Sequence, residues 1–362
     1  MTSQSFPAGR PVQRKRVIDA EILGLIGFLA AVVALFATLS DHFLSGASFQ
    51  SVAFQLPELG LLTLAMLMPI VSGGFNLAIT FTANLSGLAM ASVLQAYGGV
   101  DAGALPFVLG VVAALATGAL VGWLMGMIIA YTGAHPILVS LSMMIFVRGL
   151  GEFLTRGGDV SGMPVFVQAI GQGTVAGVPA PLLVFLACVL LWHVIMSRTR
   201  LGFATRFIGS NIAATRFSGI NTRRMLVLIY TLSGTMCAVA GIVMLARFNS
   251  VRVGHGEAYV LITVLACFLG GVDPFGGFGR VLPLAIALVI LQVIASGLNQ
   301  VGASQHLATA LWGAFLLAVM VFRSIWKTRF FQTFWPMMRA ERPCSSAPAW
   351  TRRRARSSGP AG

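Results

Sequence analysis

Long apolar runs separated by short polar breaks organise this chain. A helix that crosses a bilayer needs about 20 mostly apolar residues. The pattern predicts ten such segments, near 20–39, 55–72, 77–96, 104–131, 136–155, 180–197, 224–246, 257–271, 281–299 and 305–323. The second, third and eighth are short or interrupted by glycine and proline. The first follows Arg14, Lys15 and Arg16, as the core of a signal peptide would. It is too long for one, and no small-residue cleavage site precedes Asp41, so a retained span is expected. The predicted fold class is all-α and integral to the membrane. It is a polytopic bundle of about ten transmembrane helices, some of them broken, with both termini cytoplasmic.

Composition agrees. Hydrophobic residues make up 57% of the chain and charged residues 9%, whereas soluble domains carry about 25% charged residues. A soluble fold of this size could not cover its surface with so few charges. The net charge of +14 does not point to nucleic acid, because no basic face with interleaved aromatics is present. The basic residues sit at the two ends and in one internal loop, which is how charge is placed on the cytoplasmic side of a membrane protein. With the N-terminus inside, Arg156, Arg247 and Arg252 fall outside and Arg148 lies within a span. The other 20 of the 24 Lys and Arg then face the cytoplasm. An odd number of spans before the basic loop would expose it outside, so the charge supports the even count.

Three segments follow: a cytoplasmic N-terminal segment at 1–18, a transmembrane domain at 19–326 and a basic tail at 327–362. The tail lacks periodicity, ends in TRRRARSSGPAG, and is expected to be disordered beside anionic membrane lipid. The outer stretch from Arg156 to Pro181 is glycine-rich and weakly apolar, suited to lying on the outer face or dipping in.

Several chemistries are excluded. The chain has two lysines, Lys15 and Lys327, and neither follows a glycine, so no phosphate-binding P-loop can form. No H-E-x-x-H or G-x-S-x-G motif occurs. Cys188, Cys237, Cys267 and Cys344 have no metal or disulfide spacing, and the first three lie in apolar runs. No cofactor, metal or catalytic residue is expected on this chain. An ion-coupled carrier places titratable groups within its spans. Here Glu58, Glu152 and Asp273 come nearest membrane depth, and Glu152 lies one helical turn from Arg148, where the two can neutralise each other.

The internal basic loop runs from Ser197 to Arg224, with its core at 198–224. Asn211 to Phe217 can form a short helix, with Asn211 as N-cap and Gly219 as its stop. Ala213, Ala214 and Phe217 make a small apolar face, and Gly209 and Gly219 allow turns at either end. With Phe207, Ile208, Ile212 and Ile220, this is more apolar surface than a solvated loop needs, and a protein partner is expected.

This loop resembles the coupling region of permease subunits of the branched-chain amino acid and monosaccharide ABC importers, and is most similar to the ribose-type sugar permeases. Their pattern G-x-N-x-x-A-A-R-x-S-G-I is matched by Gly209, Asn211, Ala214, Arg216, Ser218, Gly219 and Ile220, with Thr215 in place of the second alanine. The run from Val71 resembles the family's G-G-I-D-L-S. The run from His135, with Arg148, Gly149 and Leu150, resembles its P-x-F-I-V-T-L-G-T-M-x-x-x-R-G-L. The run from Val264 resembles its L-G-G-x-x-x-x-G-G-x-G. The resemblance spans about residues 50 to 325. The chain departs from it at Asn76, where aspartate is usual, at Ile212 and Ala213, where glutamate often precedes the alanines, and at Val260 and Ile262, where acidic residues are frequent.

The resemblance implies import of a ribose-like monosaccharide, or a related sugar or polyol, across a bacterial inner membrane that the chain crosses many times. Its expected partners are ABC ATPase subunits, a periplasmic or extracellular sugar-binding protein, and a second permease subunit in a homo- or heterodimer. Coupling to the ATPase would fall to Arg206, Gly209, Asn211, Ala213, Ala214, Arg216, Phe217, Ser218, Gly219 and Ile220. The alternative is an ion-coupled secondary carrier of a small polar solute.

Gly73 and Gly74 break the second apolar run, and irregular backbone at membrane depth is found where it is buried in protein or lines a watery cavity. Asn76, Thr80 and Asn84 follow at helical spacing, a polar stripe suited to an uncharged hydroxylated solute. The same residues also suit helix–helix packing. The cluster Gly270, Gly271, Gly276, Gly277 and Gly279 is read as a tightly packed loop.

Overall fold

The computed structural model describes residues 14–40, 43–175, 177–304 and 306–321. The expected tail at 327–362 and residues 1–13 of the N-terminal segment lie outside these. The described residues are almost entirely helical: α1 (Arg14–Leu39), α2 (Gly46–Val71), α3 (Ile79–Ala96), α4 (Ala104–Thr132), α5 (Pro136–Thr155), α6 (Val165–Gln172), α7 (Ala180–Arg198), α8 (Arg200–Ser210), α9 (Ile212–Phe217), α10 (Thr222–Phe248), α11 (Tyr259–Leu269), α12 (Val281–Gln300) and α13 (His306–Val321). Two minimal antiparallel pairings decorate one end. β1 (Val160–Ser161) pairs with β4 (Ser250–Val251), and β2 (Thr174–Val175) pairs with β3 (Val178–Pro179).

Each of the ten apolar segments coincides with a helix. Eight of the helices are long and apolar enough to cross a bilayer, and α11 and α13 are shorter. α11 has 11 residues, or about 16 Å at 1.5 Å per residue, roughly half the hydrocarbon thickness. The eighth segment, 257–271, is thus a half-span that ends in the glycine cluster rather than a full crossing. The stretch 156–181, expected on the outer side, forms α6 and the β2–β3 hairpin, and its β1 reaches across to β4 after α10.

α2 is the axis of the bundle. Every residue from Leu56 to Val71 is buried, including Pro57 and Pro69, whose lost backbone bonds are tolerated where neighbours surround the helix. α3, α10 and α12 are mostly buried as well, whereas α1, α4, α5 and α7 turn much of their apolar surface outward. In a soluble protein those outward faces would be patches far too large to tolerate. Such faces suit a lipid setting, where apolar surface needs no cover.

α4 and α10 pack closely along their length, and glycine makes it possible. Gly118, Gly122 and Gly126 recur every four residues on α4 and meet Gly234, Tyr230 and Val227 of α10 backbone to backbone. A Cβ at Gly126 would lie 2.8 Å from Val227 Cα, and one at Gly234 would lie 3.0 Å from Gly122 Cα. Small residues at this spacing let membrane helices approach where there is no hydrophobic drive between them. Gly234→Val is expected to destabilise the bundle by about 1–3 kcal/mol or more through overpacking. Thermal unfolding in detergent would show it as a lowered Tm, and an unchanged Tm would rule out this packing.

Candidate functional site

The basic loop carries a structured projection. Thr199 caps α8, its hydroxyl accepting from Gly202 N at 3.4 Å. Asn211 caps α9 as expected, its Oδ1 accepting from Ala214 N at 3.0 Å. Gly219 takes φ +82°, a conformation that costs glycine nothing, and so ends α9 before α10. Arg216 Nε donates to Thr222 Oγ1 at 3.1 Å, fastening the finger to the start of α10. Thr215 is buried, and its hydroxyl donates to Asn211 O at 2.7 Å. Ala213, Ala214, Phe217, Ser218 and Gly219 remain exposed, and Phe217 is 93% exposed. α8, which carries Arg206 and Gly209, is a helix where the sequence suggested only a loop.

α8 rests on a junction of glycines brought together from three distant segments. A side chain at Gly209 would strike Val71 O and Gly277 N. Gly277 N donates to Val71 O at 2.8 Å. A Cβ at Gly276 would lie 2.7 Å from Gly73 Cα and 3.0 Å from Gly209 Cα. The end of α2, the end of α8 and the loop after α11 therefore touch through bare backbone. The tight-packing reading of the glycine cluster agrees with this geometry. Gly73, singled out with the polar stripe, belongs to the same junction as Gly209, singled out with the coupling loop.

The polar stripe rises from this junction. Gly74 is packed against the Tyr230 hydroxyl and Pro136, and Tyr230 Oη donates to Phe75 O at 3.3 Å. α3 begins at Ile79, so Asn76 sits in the break before it. Only Thr80 and Asn84 share a helical face, which corrects the three-residue stripe. Asn76 is fully buried. Its Nδ2 donates to Ser233 Oγ at 2.8 Å, and its Oδ1 accepts from Ala78 N at 3.1 Å. Asn84 Nδ2 donates to the carbonyls of Val253 and His255 at 2.7 and 2.8 Å. Both amides are thus engaged within the chain. The buried hydroxyls of Thr80 and Thr82 meet no partner among the described residues.

Asparagine at position 76 is matched to its neighbour. Ser233 Oγ donates to Ala65 O at 2.7 Å, so it can only accept from residue 76. A carboxylate there would face an oxygen lone pair. Asn76→Asp is expected to cost about 1–3 kcal/mol, the penalty of a buried polar group left without its partner. The check is thermal unfolding of the variant at neutral pH, where wild-type stability would refute the assigned hydrogen bond.

The far end of α10 opens into an ionic mouth. A cavity of about 680 Å³ is lined by Arg148, Glu152, Asp159, Arg252, His255 and Glu257 among others. Arg148 bridges Glu152 and Glu257, each at 3.0 Å, and Arg252 pairs with Asp159 at 3.5 Å. His255 stacks on Phe248, and burial lowers its pKa from the usual histidine value despite Asp159 nearby. By holding the Val253 and His255 carbonyls, Asn84 fixes one wall of this mouth. Below it, Arg247 pairs with buried Glu58 at 2.5 Å, and Tyr259 Oη donates to Glu58 at 3.5 Å. Three of the four basic residues that break the charge rule (Arg148, Arg247 and Arg252) are therefore neutralised by nearby acids. The Arg148–Glu152 pair was legible from its spacing. The partners Glu257, Asp159 and Arg247 were not, although a solitary acid at membrane depth and a stray arginine at a span end hint at each other.

No group of His, Cys, Asp and Glu able to hold a metal occurs among the described residues. What they form is a many-helix membrane bundle with a broken axis, an ionic mouth at the far end of α10 and a helical finger before it, the architecture of a transport permease. The chain belongs to the family described as the branched-chain amino acid transport system permease component, which matches residues 48–323. It is a multi-pass protein of the bacterial inner membrane. It is 31% identical over 273 residues to the Autoinducer 2 import system permease protein LsrD of Yersinia enterocolitica, covering 74% of this chain and 80% of that one. The LsrD proteins of Yersinia pseudotuberculosis serotype O:3 and Yersinia pestis strain Pestoides F are each 29% identical over 294 residues, covering 80% of this chain and 86% of theirs. No solved structure matches the chain.

Proposed function

We propose that this chain is the membrane-spanning subunit of an ATP-driven importer of a neutral, sugar-like solute, with α9 as the element that docks on a separate ATPase subunit. The observation that carries the reading is the finger itself. It is capped, hinged and joined to α8, which rests on the glycine junction, yet it presents Phe217, Ala213 and Ala214 to solvent. A short helix held this firmly with its apolar face bare is built to receive a partner. The junction joins α8 to the end of α2 and to the loop after α11, so a push on the finger reaches the broken axis directly. The relatives' names point to import of autoinducer 2, and the motif resemblance points to ribose-like sugars.

On this reading Arg206, Gly209, Asn211, Arg216, Ser218, Gly219 and Ile220 shape and hold the finger. The break at Gly73, Gly74 and Asn76 and the face of Thr80 and Asn84 lie along the moving pathway. An external binding protein delivers solute to the mouth, and a second permease subunit completes the channel. The segment 198–224 is the coupling region, and 327–362 is a cytoplasmic tail. Reconstitution with a candidate ATPase and binding protein tests this. Uptake is expected with ATP on the ATPase side and none without it, and Gly219→Glu is expected to abolish both ATPase capture and uptake. Persistence of both in the variant would overturn the assignment.

Ion-coupled transport is the second reading. The buried carboxylate of Glu58 is already held by Arg247 and Tyr259, which leaves it poorly placed to bind a coupling ion. Uptake by the lone chain in liposomes under a proton or sodium gradient would decide for that reading.

A further inference from the structure

A second cavity, of about 290 Å³, lies between α2, α11, α12 and α13, lined by Gln55, Tyr259, Gln292, Asn299, Thr309 and Trp312 together with apolar residues. We infer that this cleft is the solute site within the membrane and that it selects a neutral, polyhydroxylated solute. For the class of solute, this rests on the importer reading above.

Three observations converge. First, among the described residues no charged side chain lines the cleft, in contrast to the ionic mouth. A zwitterionic amino acid would have to leave water for a site with no partner for its carboxylate or ammonium, at a heavy cost. An uncharged solute carries no such cost. Second, the polar groups suit hydroxyls. Gln292 Nε2 donates to Gln55 Oε1 at 2.9 Å. That single bond orients both amides and leaves the Gln55 amide hydrogens and Gln292 Oε1 for a solute. Hydroxyls donate and accept, so each can engage both ends of such a pair. The Trp312 and Tyr259 rings supply the apolar surface that a sugar's C–H face needs, each with a polar edge. A few placed polar groups among apolar and aromatic side chains is the common form of a small-molecule site, and the volume stands near the lower end of the ~300–1,000 Å³ range.

Third, the cleft adjoins another cavity. Gln55 also lines a cavity of about 590 Å³ at the N-terminal end of α2, shared with Gln50, Gln172 and Arg247. Gln55 therefore borders both that cavity and the cleft. Glu58, one turn further along α2, neutralises the arginine that would otherwise face an entering solute. Polar amides set this deep among spanning helices are costly in lipid and mark solute routes.

The test is labelling of Ala295→Cys by the charged, membrane-impermeant thiol reagent MTSES in nanodiscs, with the unsubstituted chain as blank. Labelling is expected, since the reagent reacts only where water reaches. Ribose or autoinducer 2 is expected to slow it, and leucine to leave it unchanged. In the same assay Gln292→Leu should raise the concentration of the protecting solute needed for half-protection about tenfold, and Gln55→Leu should do the same if the first variant fails to fold. An unreactive Ala295→Cys, protection by leucine, or unchanged protection in either folded glutamine variant would overturn the site. ATP-driven uptake of the same probes is measured separately. Protection without such uptake keeps the site and overturns the importer reading instead.

Discussion

Arg247→Ala is expected to destabilise the protein by about 3–5 kcal/mol, the cost of leaving a buried charge without its partner. The side chain of Glu58 is 2% exposed and that of Arg247 is 20% exposed. The pair ties α2, the axis, to the end of α10, and Tyr259 brings the start of α11 to the same carboxylate. Truncating the arginine leaves Glu58 ionised in an apolar setting or forces it to take up a proton. Replacing both residues removes the problem. Glu58→Leu with Arg247→Leu is expected to be close to neutral, or more stable, since buried ion pairs rarely outperform apolar packing of similar volume. Thermal unfolding in detergent of the single and double variants makes the comparison, and a single variant as stable as the double would refute the buried-pair account.

Phe217→Glu is expected to weaken capture of the ATPase subunit by about 30- to 1,000-fold, or roughly 2–4 kcal/mol, the range for a central apolar anchor of an interface, and to stop uptake with it. The fold should be indifferent, because Phe217 is 93% exposed and exposed substitutions usually shift stability by less than about 0.5 kcal/mol. Asn211→Ala offers a graded control. It removes the cap on α9 at a cost of about 1 kcal/mol, so coupling should weaken without vanishing. Co-purification and ATP-driven uptake, read beside thermal stability, separate the two effects. Full uptake by Phe217→Glu would show that the finger is not the point of contact.

The helical framework was legible because lipid imposes a simple rule on sequence. Long apolar runs must become helices that satisfy their own backbone, and all ten runs did. The finger was legible for another local reason. An N-cap acts within three residues and a positive-φ glycine acts on itself, so Asn211 and Gly219 announce α9 without help from the rest of the chain. α8 did not announce itself. Its residues read as a basic loop, and it is steadied by Gly209 packing on Val71 and Gly277, segments remote in sequence. The stripe through Asn76 was misjudged by one turn, because the helix starts only after the break at Gly73 and Gly74 has run its course.

Local signals along the chain decided the class of fold and the position of the finger, since hydropathy and capping act over one or a few helical turns. The tertiary structure alone decided which glycines meet, which acid neutralises which arginine, and which amides from α2 and α12 share a cleft. Those are contacts between helices whose neighbours are chosen by packing, and helix spacing within one segment carries no record of what lies across from it.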